Sequence, residues 1–329
     1  MIEIVARSEA MREAVRLADR VAGTDANVLI TGESGVGKDA IAFYIHSKSG
    51  RATQSFVKID CATLPGGLLE AELFGYERGA FTGASEEKPG RLEASHRGTL
   101  VLDEIAYLST DSQAKLLRVI ETREFERLGG RKVIKVDARL LALTNVDLSD
   151  AVKRQHFRED LYYRLHVVHI KVPPLRERAE DLPELTQAFV DSYSAKHGRQ
   201  VSGVSPEALS VLNEYEFPGN VRELANTIER AVIVSTTKRI GVRDLPEPIR
   251  AAVRVQRRRE RPQSLAELEA EHVMEVLAST KGNKTEAAKI LGISRKNLYE
   301  KLARVKKDES GRMKDEEKKK DEDQTTDET

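Results

Sequence analysis

Residues 29–39 read Leu-Ile-Thr-Gly-Glu-Ser-Gly-Val-Gly-Lys-Asp, and this stretch decides the fold. A short apolar run over 28–30 precedes the first glycine, and helix-compatible residues resume at 40–45. This order predicts a buried strand, a glycine-rich loop and a helix. Gly32 and the pair Gly37-Lys38, separated by four residues, match a phosphate-binding loop. The alternative is an ordinary glycine turn, but the strand, the spacing and the lysine all fit the phosphate loop.

The glycines of such a loop let backbone N–H groups turn towards a β-phosphate, and Lys38 reaches the β- and γ-oxygens. We therefore expect a bound nucleotide to contact Gly32, Glu33, Ser34, Gly35, Val36, Gly37, Lys38 and Asp39. Most such loops carry Ser or Thr at the position of Asp39 to hold Mg²⁺. Because a carboxylate also binds this metal, directly or through water, Asp39 is a candidate metal ligand.

A second motif is the apolar run 99–102, which ends in Asp103 and Glu104. Two acids after an apolar run are a weak signal alone. Joined to the phosphate loop, they predict that Asp103 holds Mg²⁺ and that Glu104 polarises the attacking water. Asn145 ends another apolar run, and it either orients the same water, senses the γ-phosphate or is a simple turn asparagine.

The bulk composition excludes several classes of protein. The chain has 329 residues and a formal net charge of zero, so any contact with nucleic acid must come from a local basic patch. Cys61 is the only cysteine, which excludes an intrachain disulfide and fits a reducing cytosol. No apolar run approaches the roughly 18 residues of a membrane span, and charged residues interrupt the start of the chain where a signal peptide would be apolar. We expect a cytoplasmic protein without a membrane partner.

The order of apolar runs predicts an α/β fold with a parallel sheet and crossover helices. Five runs predict strands, at 28–30, 56–59, 100–102, 140–143 and 167–172. After Pro173-Pro174 the pattern is helical without clear strands. The expected domains are an α/β domain over 1–173, a small helical domain over 174–248, a basic linker over 249–263, a compact helical unit over 264–307 and a disordered charged tail over 308–329.

Three arginines are candidates for phosphate contact. Arg158 and Arg164 lie in one short segment, from which two guanidiniums near a subunit edge would act on a neighbour's γ-phosphate. The alternative is a solvated helix face on which they pair with Glu159 and Asp160. Arg222 opens a helix after the turn at 218–220, and from there it is well placed to reach a bound phosphate.

The segment Gly79-Ala80-Phe81-Thr82-Gly83-Ala84 has an apolar centre between two glycines and charged residues on both sides. One interpretation is a surface turn similar to a hairpin. The other is a mobile loop that presents Phe81 and Thr82 to a partner.

The C-terminal unit reads as two helices joined by a turn. A helix ends at Gly292, and Ser294 caps a second helix with Leu298 and Leu302 on one face. Residues 283–307 carry eight basic and two acidic side chains, a local charge of +6 in a neutral protein. This charge suits contact with double-stranded DNA, whereas a plain helical hairpin would not need it. The expected DNA-binding residues are Ser294, Arg295, Lys296, Asn297, Tyr299 and Lys301.

Taken together, these motifs resemble the bacterial enhancer-binding proteins, the AAA+ ATPases that activate sigma-54 RNA polymerase. The matching segments are 32–39, 72–75 (Glu-Leu-Phe-Gly), 79–84, 102–105, 125–130 (Phe-Glu-Arg-Leu-Gly-Gly) and 218–224. The resemblance covers roughly residues 4–245, and a Fis-type helix-turn-helix follows it. The loop at 79–84 is close to unique to that family.

The resemblance implies an ATPase with an AAA+ α/β domain, a helical lid and a hexameric ring. ATP and Mg²⁺ would be bound by Lys38, Asp103 and Glu104, with Asn145 as first sensor and Arg222 as second sensor. Arg158 and Arg164 would be arginine fingers acting in trans. Residues 79–84 would contact sigma-54 in the polymerase holoenzyme, with a second loop near 127–132 moving alongside. An acidic residue at position 39 is usual in the family.

The sequence departs from the family pattern in three ways. Asp60 stands where Asn is common, which affects how hydrolysis is coupled, and Arg97 replaces a common Gly. No sensory domain precedes Met1, so either a separate regulatory protein controls this chain or the chain is a fragment. The rival interpretations are a DNA-binding regulator with a vestigial ATPase fold and another P-loop enzyme, such as a kinase or a clamp loader.

Overall fold

The centre of the molecule is a five-stranded parallel sheet with strand order β2-β5-β8-β1-β9. The computed structural model describes residues 4–260, 269, 272–274, 276, 277, 280 and 282–302. Its strands are β1 (Val28–Thr31), β2 (Phe56–Asp60), β3 (Gly75–Tyr76), β4 (Lys88–Pro89), β5 (Thr99–Asp103), β6 (Glu124–Glu126), β7 (Val133–Lys135), β8 (Arg139–Thr144), β9 (Val168–Lys171), β10 (Gly203–Val204) and β11 (Arg239–Ile240). All five predicted strands are present, and the predicted α/β fold class is confirmed.

Helices cover both faces of this sheet and form the domain that follows it. They are α1 (Glu9–Ala22), α2 (Lys38–Ser47), α3 (Gly66–Phe74), α4 (Arg91–Ala94), α5 (Thr110–Thr122), α6 (Leu148–Lys153), α7 (Glu159–Leu165), α8 (Leu182–His197), α9 (Pro206–Glu214), α10 (Asn220–Val234) and α11 (Glu247–Glu260). A further helix, α12 (Lys284–Ile290), belongs to the C-terminal unit. Several helices begin at a serine whose side chain caps a free backbone N–H group. Ser8, Ser109 and Ser205 each accept a hydrogen bond from the backbone N–H of the residue three positions later. These polar residues fix where the amphipathic segments start.

The alternation of side chains along β1 explains how the two layers form. Leu29 packs in the cluster that includes Leu100 and Leu102 with helices α3 and α5. Val28 and Ile30 point to the other face and pack with α1 and α2. A buried strand with apolar residues on both faces is expected for a parallel sheet covered by helices on each side.

The strand register brings the ends of the strands together. Thr31 lies opposite Thr144, and Asp60 lies opposite Asp103. The polar residues that follow these strands therefore share the carboxyl edge of the sheet, where ligands bind in open α/β folds.

A helical domain follows β9, with α8, α9 and α10 packed around Val190, Leu212 and Ile228. It also contains a two-residue parallel ladder between β10 and β11. The expectation of no strands after residue 173 is therefore wrong at this ladder, which is too short to give an alternating pattern in the sequence.

The chain divides into two compact units, Met1–Val253 and Arg254–Thr329. The boundary falls inside the predicted linker 249–263, which is helical over residues 249–260. The other predicted domain boundaries stay predictions, and the predicted charged tail lies outside the described residues. No helix in the described part of the chain is both long enough and apolar enough to cross a membrane.

The second unit contains the predicted helix pair. Asn283 caps α12 by accepting hydrogen bonds from the N–H groups of Thr285 and Glu286. Gly292 then turns the chain at φ +65°, and residues 295–302 form the next helix. Leu298 is fully buried against Ala287 and Ala288, so the apolar face predicted for this helix does form the core of the unit.

Candidate functional site

The loop between β1 and α2 has the backbone that a phosphate-binding loop requires. Gly32, Gly35 and Gly37 have φ angles of +153°, +77° and +102°, which side-chain-bearing residues rarely adopt. At Gly32, a Cβ would lie 2.6 Å from the carbonyl oxygen of Val172. Gly37 stands directly before the first residue of α2, so the loop opens onto a helix N-terminus that favours anions.

Lys38 is the first residue of α2, and its side chain is only 7% exposed. Its Nζ donates hydrogen bonds to the carbonyl oxygens of Gly32 (2.8 Å) and Glu33 (3.2 Å) and lies 3.7 Å from Glu104 Oε1. Burial lowers the pKa of Lys38, and the nearby carboxylates of Glu104 and Asp103 partly oppose this effect. The loop therefore wraps around a single cation.

Asp103 ends β5, and Asp39 lies in the first turn of α2. Their carboxylates come from different elements but converge on one point, because Lys58 Nζ lies 2.5 Å from Asp39 Oδ1 and 2.7 Å from Asp103 Oδ2. Burial lowers the pKa of Lys58, but the hydrogen bonds to Asp103 and Asp39 outweigh it and leave the pKa raised. Two carboxylate oxygens that share one cation are a donor set that Mg²⁺ accepts, so these residues fit the predicted metal.

Glu104 has an unusual backbone, with φ +52° and ψ +49° in the left-handed region. Its Oε2 accepts a hydrogen bond from the backbone N–H of Asn145 at 3.1 Å, and Oε1 faces Lys38. A non-glycine residue at positive φ costs about 1–2 kcal/mol, and such strain persists where the surroundings hold it in place. Strand β5 thus ends in two acids that point in different directions, one towards Lys58 and one towards Lys38 and Asn145.

The helical domain contacts the phosphate-binding loop directly. Arg222 Nη1 donates to Ser34 Oγ at 2.9 Å, and the backbone N–H of Arg222 donates to the carbonyl of Gly35 at 3.3 Å. Gly35 must be glycine for a second reason, because a Cβ there would clash with the carbonyl oxygen of Gly219. Arg222, selected from the sequence, is therefore brought to the predicted site.

Glu33 anchors the loop to the same domain. Arg176 forms a bidentate pair with its carboxylate at 2.5 and 2.8 Å, and Asn220 Nδ2 donates to Oε2 at 3.0 Å. These hydrogen bonds, that of Arg176 first, lower the pKa of Glu33 to about 2. Asn220 is fully buried and also accepts a hydrogen bond from the N–H of Leu175. A cleft of about 570 Å³ opens beside these groups and is lined by Thr31, Gly32, Glu33, Asn145, Lys171 and Arg176, among others.

Arg178 is a further link between the two domains. Its guanidinium is almost completely buried and donates to the carbonyl oxygen of Val36 at 2.5 Å and towards Met11 Sδ at 3.2 Å. Burial lowers the pKa of Arg178. The guanidinium thus fixes the carbonyl of a loop residue from outside the loop.

The two predicted arginine fingers lie at the start and near the end of α7. Arg158 forms a bidentate ion pair with Asp160 at 2.7 and 3.0 Å, and Arg164 pairs with Glu121 of α5 at 3.0 Å. Both side chains are solvent-exposed. The alternative to an arginine finger was a solvated helix face on which Arg158 pairs with a neighbouring acid such as Asp160. Within one subunit, Arg158 has this environment.

The segment 79–84 is a tight loop above a short antiparallel pair, β3 and β4. The N–H of Gly79 donates to the carbonyl of Ala84 at 2.8 Å and closes the loop. Phe81 is 41% exposed, and its ring meets the edge of Tyr76 at a centroid distance of 5.0 Å. Thr82 is exposed at the tip. A second loop supports the first, because a Cβ at Gly129 would lie 2.8 Å from Ala80 Cβ.

In the second unit, Ser294 Oγ accepts a hydrogen bond from the N–H of Asn297 at 3.2 Å and caps the last described helix. Arg295, Lys296 and Asn297 are exposed on its first turn. Tyr299 is also exposed, with Lys284 Nζ 4.7 Å from its ring centroid. Lys301 differs from these residues, since it is largely covered and pairs with Glu269.

Sequence reasoning missed Lys58, Arg176 and Asn220. Lys58 interrupts an apolar strand, and this charged residue two positions before Asp60 was a usable signal. Asn220 is the residue after Gly219 in a turn, where asparagine usually needs no further explanation. Arg176 lies in a basic and acidic run, and no pattern there distinguishes it from its neighbours.

Comparison with known families agrees with this geometry along the whole described chain. Residues 4–171 match the family model described as the sigma-54 interaction domain. Residues 176–263 match the AAA+ ATPase lid domain, and residues 264–304 match the bacterial regulatory protein Fis family.

Curated relatives and solved structures give the same result. The regulatory protein AtoC of Escherichia coli is 45% identical over 307 residues, which is 91% of this chain and 67% of AtoC. FlbD of Caulobacter vibrioides is 45% identical over 315 residues, 91% of this chain and 69% of FlbD. The crystal structure of NtrX from Brucella abortus in complex with ATP has a TM-score of 0.70 and 35% identity, and it covers 93% of this chain and 69% of that one. The chain thus spans about two thirds of the length of these relatives, and it belongs to the sigma-54-dependent transcriptional activators.

Proposed function

We propose that this chain hydrolyses ATP at the loop between β1 and α2 and uses the energy to remodel sigma-54 RNA polymerase holoenzyme, so that a promoter opens. The observation that carries this proposal is the convergence of Lys38, Asp103, Glu104 and Asn145 at the carboxyl edge of the sheet. A phosphate-binding loop, a metal-binding acid and a second acid beside a water site are the parts that hydrolysis of a nucleoside triphosphate requires.

Binding and positioning of ATP fall to the loop and to the helical domain. Backbone N–H groups of residues 32–37 and Nζ of Lys38 would hold the β- and γ-phosphates. Arg222, already in contact with Ser34, would reach the phosphates from the lid. Asp103 and Asp39 would hold Mg²⁺. When bound, this metal neutralises negative charge on the phosphate oxygens.

Glu104 is the group that would accept a proton from the attacking water. The water oxygen forms a bond with the γ-phosphorus, the bond from that phosphorus to the bridging oxygen breaks, and ADP and inorganic phosphate leave. Lys38 and the N–H of Asn145 fix the Glu104 carboxylate beside the loop, so its orientation is set before substrate arrives.

Assembly would complete the site. Arg158 and Arg164 are exposed on α7 and are suited to contact the γ-phosphate on a neighbouring subunit in a ring, which we take to be a hexamer from family membership. The exposed tip at Phe81 and Thr82 would contact sigma-54, and the exposed first turn at Arg295, Lys296 and Asn297 would contact enhancer DNA. Lys301 would act less directly, because it pairs with Glu269.

The test uses Glu104→Gln, which keeps the shape of the side chain and removes its ability to accept a proton. We expect ATP to bind and persist, hydrolysis to fall by about 10²–10⁴-fold, and promoter opening by sigma-54 polymerase to be lost. Glu124→Gln is the matched control, since Glu124 lies on β6 and pairs with Lys135 outside the site. Hydrolysis at the wild-type rate by Glu104→Gln would overturn the proposal. Turnover without any acceptor molecule separates an ATPase from a kinase.

A further inference from the structure

Lys58 lies in the metal-binding region, and the proposed reaction does not use it. It lies on β2, the edge strand of the sheet, and its ammonium bridges Asp39 and Asp103 at 2.5 and 2.7 Å. Both acids belong to the proposed metal site. The ammonium therefore occupies the position between the two carboxylates that a metal bound to both of them would take.

An ammonium and a divalent cation cannot share this position. Mg²⁺ binds carboxylate oxygens at about 2.0–2.1 Å and demands near-octahedral geometry. A positive charge held on the same oxygens would repel the metal strongly over such short distances. A metal coordinated directly by both carboxylates would therefore displace the Lys58 ammonium.

The structure also shows how Lys58 can leave. Its side chain is 37% exposed, and a lysine stem is long and flexible. Lys38, by contrast, is 7% exposed and is held by two loop carbonyls. Lys38 is thus enclosed by the loop, whereas Lys58 is partly exposed and is held by its two ion pairs.

We propose that Lys58 is a built-in competitor of the metal: its ammonium neutralises Asp39 and Asp103 in the metal-free protein and releases both when the metal enters with the nucleotide. The inference rests on the proposed function only in taking Asp39 and Asp103 as the metal-binding pair. Its consequence is selectivity. A divalent cation without a nucleotide binds poorly, because no other contact compensates for breaking the ion pairs of Lys58. A metal that arrives with a nucleotide binds better, because the contacts of the phosphates with Lys38 and the loop offset the cost of displacing Lys58.

The test measures Mn²⁺ binding to the full chain without nucleotide, by the loss of the electron paramagnetic resonance signal of free Mn²⁺. Lys58→Met removes the ammonium and keeps most of the apolar stem. We expect Mn²⁺ to bind about tenfold more tightly to Lys58→Met than to wild type, as expected when a partly exposed bridging ion pair is removed. Lys58→Arg keeps the charge and should remain within about twofold of wild type.

Two further variants make the result unambiguous. Lys48→Met is the matched control, because Lys48 is exposed on the same domain and lies over the ring of Tyr44. Asp103→Asn reports on the metal site itself and should lose the Mn²⁺ binding gained in Lys58→Met when the two changes are combined. Circular dichroism and thermal unfolding confirm that each variant is folded.

The outcomes separate the two proposals. If Asp103→Asn does not weaken Mn²⁺ binding in either background, the metal site is elsewhere and the proposed role of Asp103 fails. If Asp103→Asn weakens binding but Lys58→Met binds Mn²⁺ no more tightly than Lys48→Met, the metal site stands and competition by Lys58 is overturned.

A second measurement follows Lys58 directly. Its amine is acetylated by a water-soluble active ester, and the modification is quantified by mass spectrometry with and without Mg·ADP. Release from Asp39 and Asp103 should raise the modification of Lys58 several-fold and leave that of Lys48 unchanged. Equal or lower modification of Lys58 with Mg·ADP would contradict the proposal.

Discussion

Two glycine-containing loops in this protein use the same backbone freedom for opposite purposes. Gly35 in the phosphate-binding loop and Gly79 in the loop 79–84 have almost the same φ, +77° and +82°. At Gly35 a Cβ would clash with the carbonyl of Gly219, whereas at Gly79 no heavy atom lies within 4 Å of the Cβ position. The missing Cβ at Gly35 permits close packing between two domains, whereas the Cβ position at Gly79 has no close neighbour.

The side chains of the two loops differ in the same way. Lys38 is buried and its Nζ has two loop carbonyls as acceptors. Phe81 is 41% exposed and touches one aromatic ring, that of Tyr76. We infer that the phosphate-binding loop is held in one conformation by its contacts, whereas the exposed tip of the loop 79–84, at Phe81 and Thr82, has few contacts that would oppose a change. A nucleotide can change the conformation of a loop only if it binds more tightly to the protein with that loop in one conformation than in another. A fixed binding loop and a second loop with an exposed tip suit such a change.

The largest effect on nucleotide binding should come from the phosphate-binding loop. Lys38→Ala removes the buried cation, and we expect nucleotide affinity to fall by about 100-fold or more, as for loss of a hydrogen bond to a charged phosphate. Isothermal titration with ADP measures this loss. The loop 79–84 should keep its structure, because the contacts of Lys38 are with Gly32, Glu33 and Glu104. Wild-type affinity in this variant would show that the phosphates bind elsewhere.

Arg158→Ala and Arg164→Ala test the contribution of a neighbouring subunit. Each should reduce turnover by about 10³-fold, the scale of an arginine finger, while ATP binding stays close to wild type. Arg154→Ala is the control, since Arg154 pairs with Asp150 on α6. Turnover per subunit should also rise with protein concentration as rings assemble. A monomer with full, concentration-independent turnover would remove these arginines from the site.

The two glycines allow a direct comparison of the loops. Alanine at either position costs about 1–2 kcal/mol for the positive φ. Only Gly35→Ala should carry a further cost of about 1–3 kcal/mol from the forced contact with Gly219. Chemical unfolding of both variants gives the difference. Equal destabilisation would mean that the contact between the helical domain and the phosphate-binding loop contributes nothing measurable.

A smaller effect is expected at Glu33. Its pKa is lowered to about 2 by Arg176 and Asn220, so the stabilisation is present above pH of about 4.5 and is lost as the pH falls towards 2. Because the pair with Arg176 is exposed, the contribution at neutral pH should stay below about 1 kcal/mol. Thermal unfolding of wild type and Glu33→Gln should differ at pH 7, and the difference should shrink below pH of about 4.5 and vanish as the pH approaches 2. A difference that grows towards acid pH would contradict this account.

The sheet could be predicted from the sequence, because each central strand is a short apolar run followed by polar residues. Smaller elements could not. The pair β3 and β4 has two residues in each strand, and no periodicity exists over so short a length. The arginines of the segment 249–263 predict a linker, yet Ile249 and Val253 are buried, and residues 249–260 are helical. The composition of this segment indicates its positive charge, but it does not indicate that the charged residues lie on a helix.

The candidate site also has residues that the sequence predicts and residues that it does not. Lys38, Asp103 and Glu104 belong to motifs whose spacing in the chain predicts their proximity, and they do converge. Arg176 and Asn220 reach Glu33 from segments more than a hundred residues away, and only the packing of the helical domain brings them there. The pairing of Arg158 with Asp160 is local, and the sequence already allowed for it. The contacts between domains are therefore the part of the site that could not be predicted from the sequence.

The measurement that tests the central claim most directly compares ATP hydrolysis with promoter opening when the exposed side chains at the tip of the loop 79–84 are truncated. The variant carries Phe81→Ala and Thr82→Ala together, and Ser85→Ala, an exposed residue just outside the loop, is its control. Open-complex formation by sigma-54 polymerase is followed on supercoiled and on premelted templates, with ATP turnover measured in the same mixtures. We predict wild-type turnover and DNA binding by the double variant together with loss of promoter opening. Full promoter opening by this variant would contradict the account, because ATP hydrolysis would then act on the polymerase without this loop.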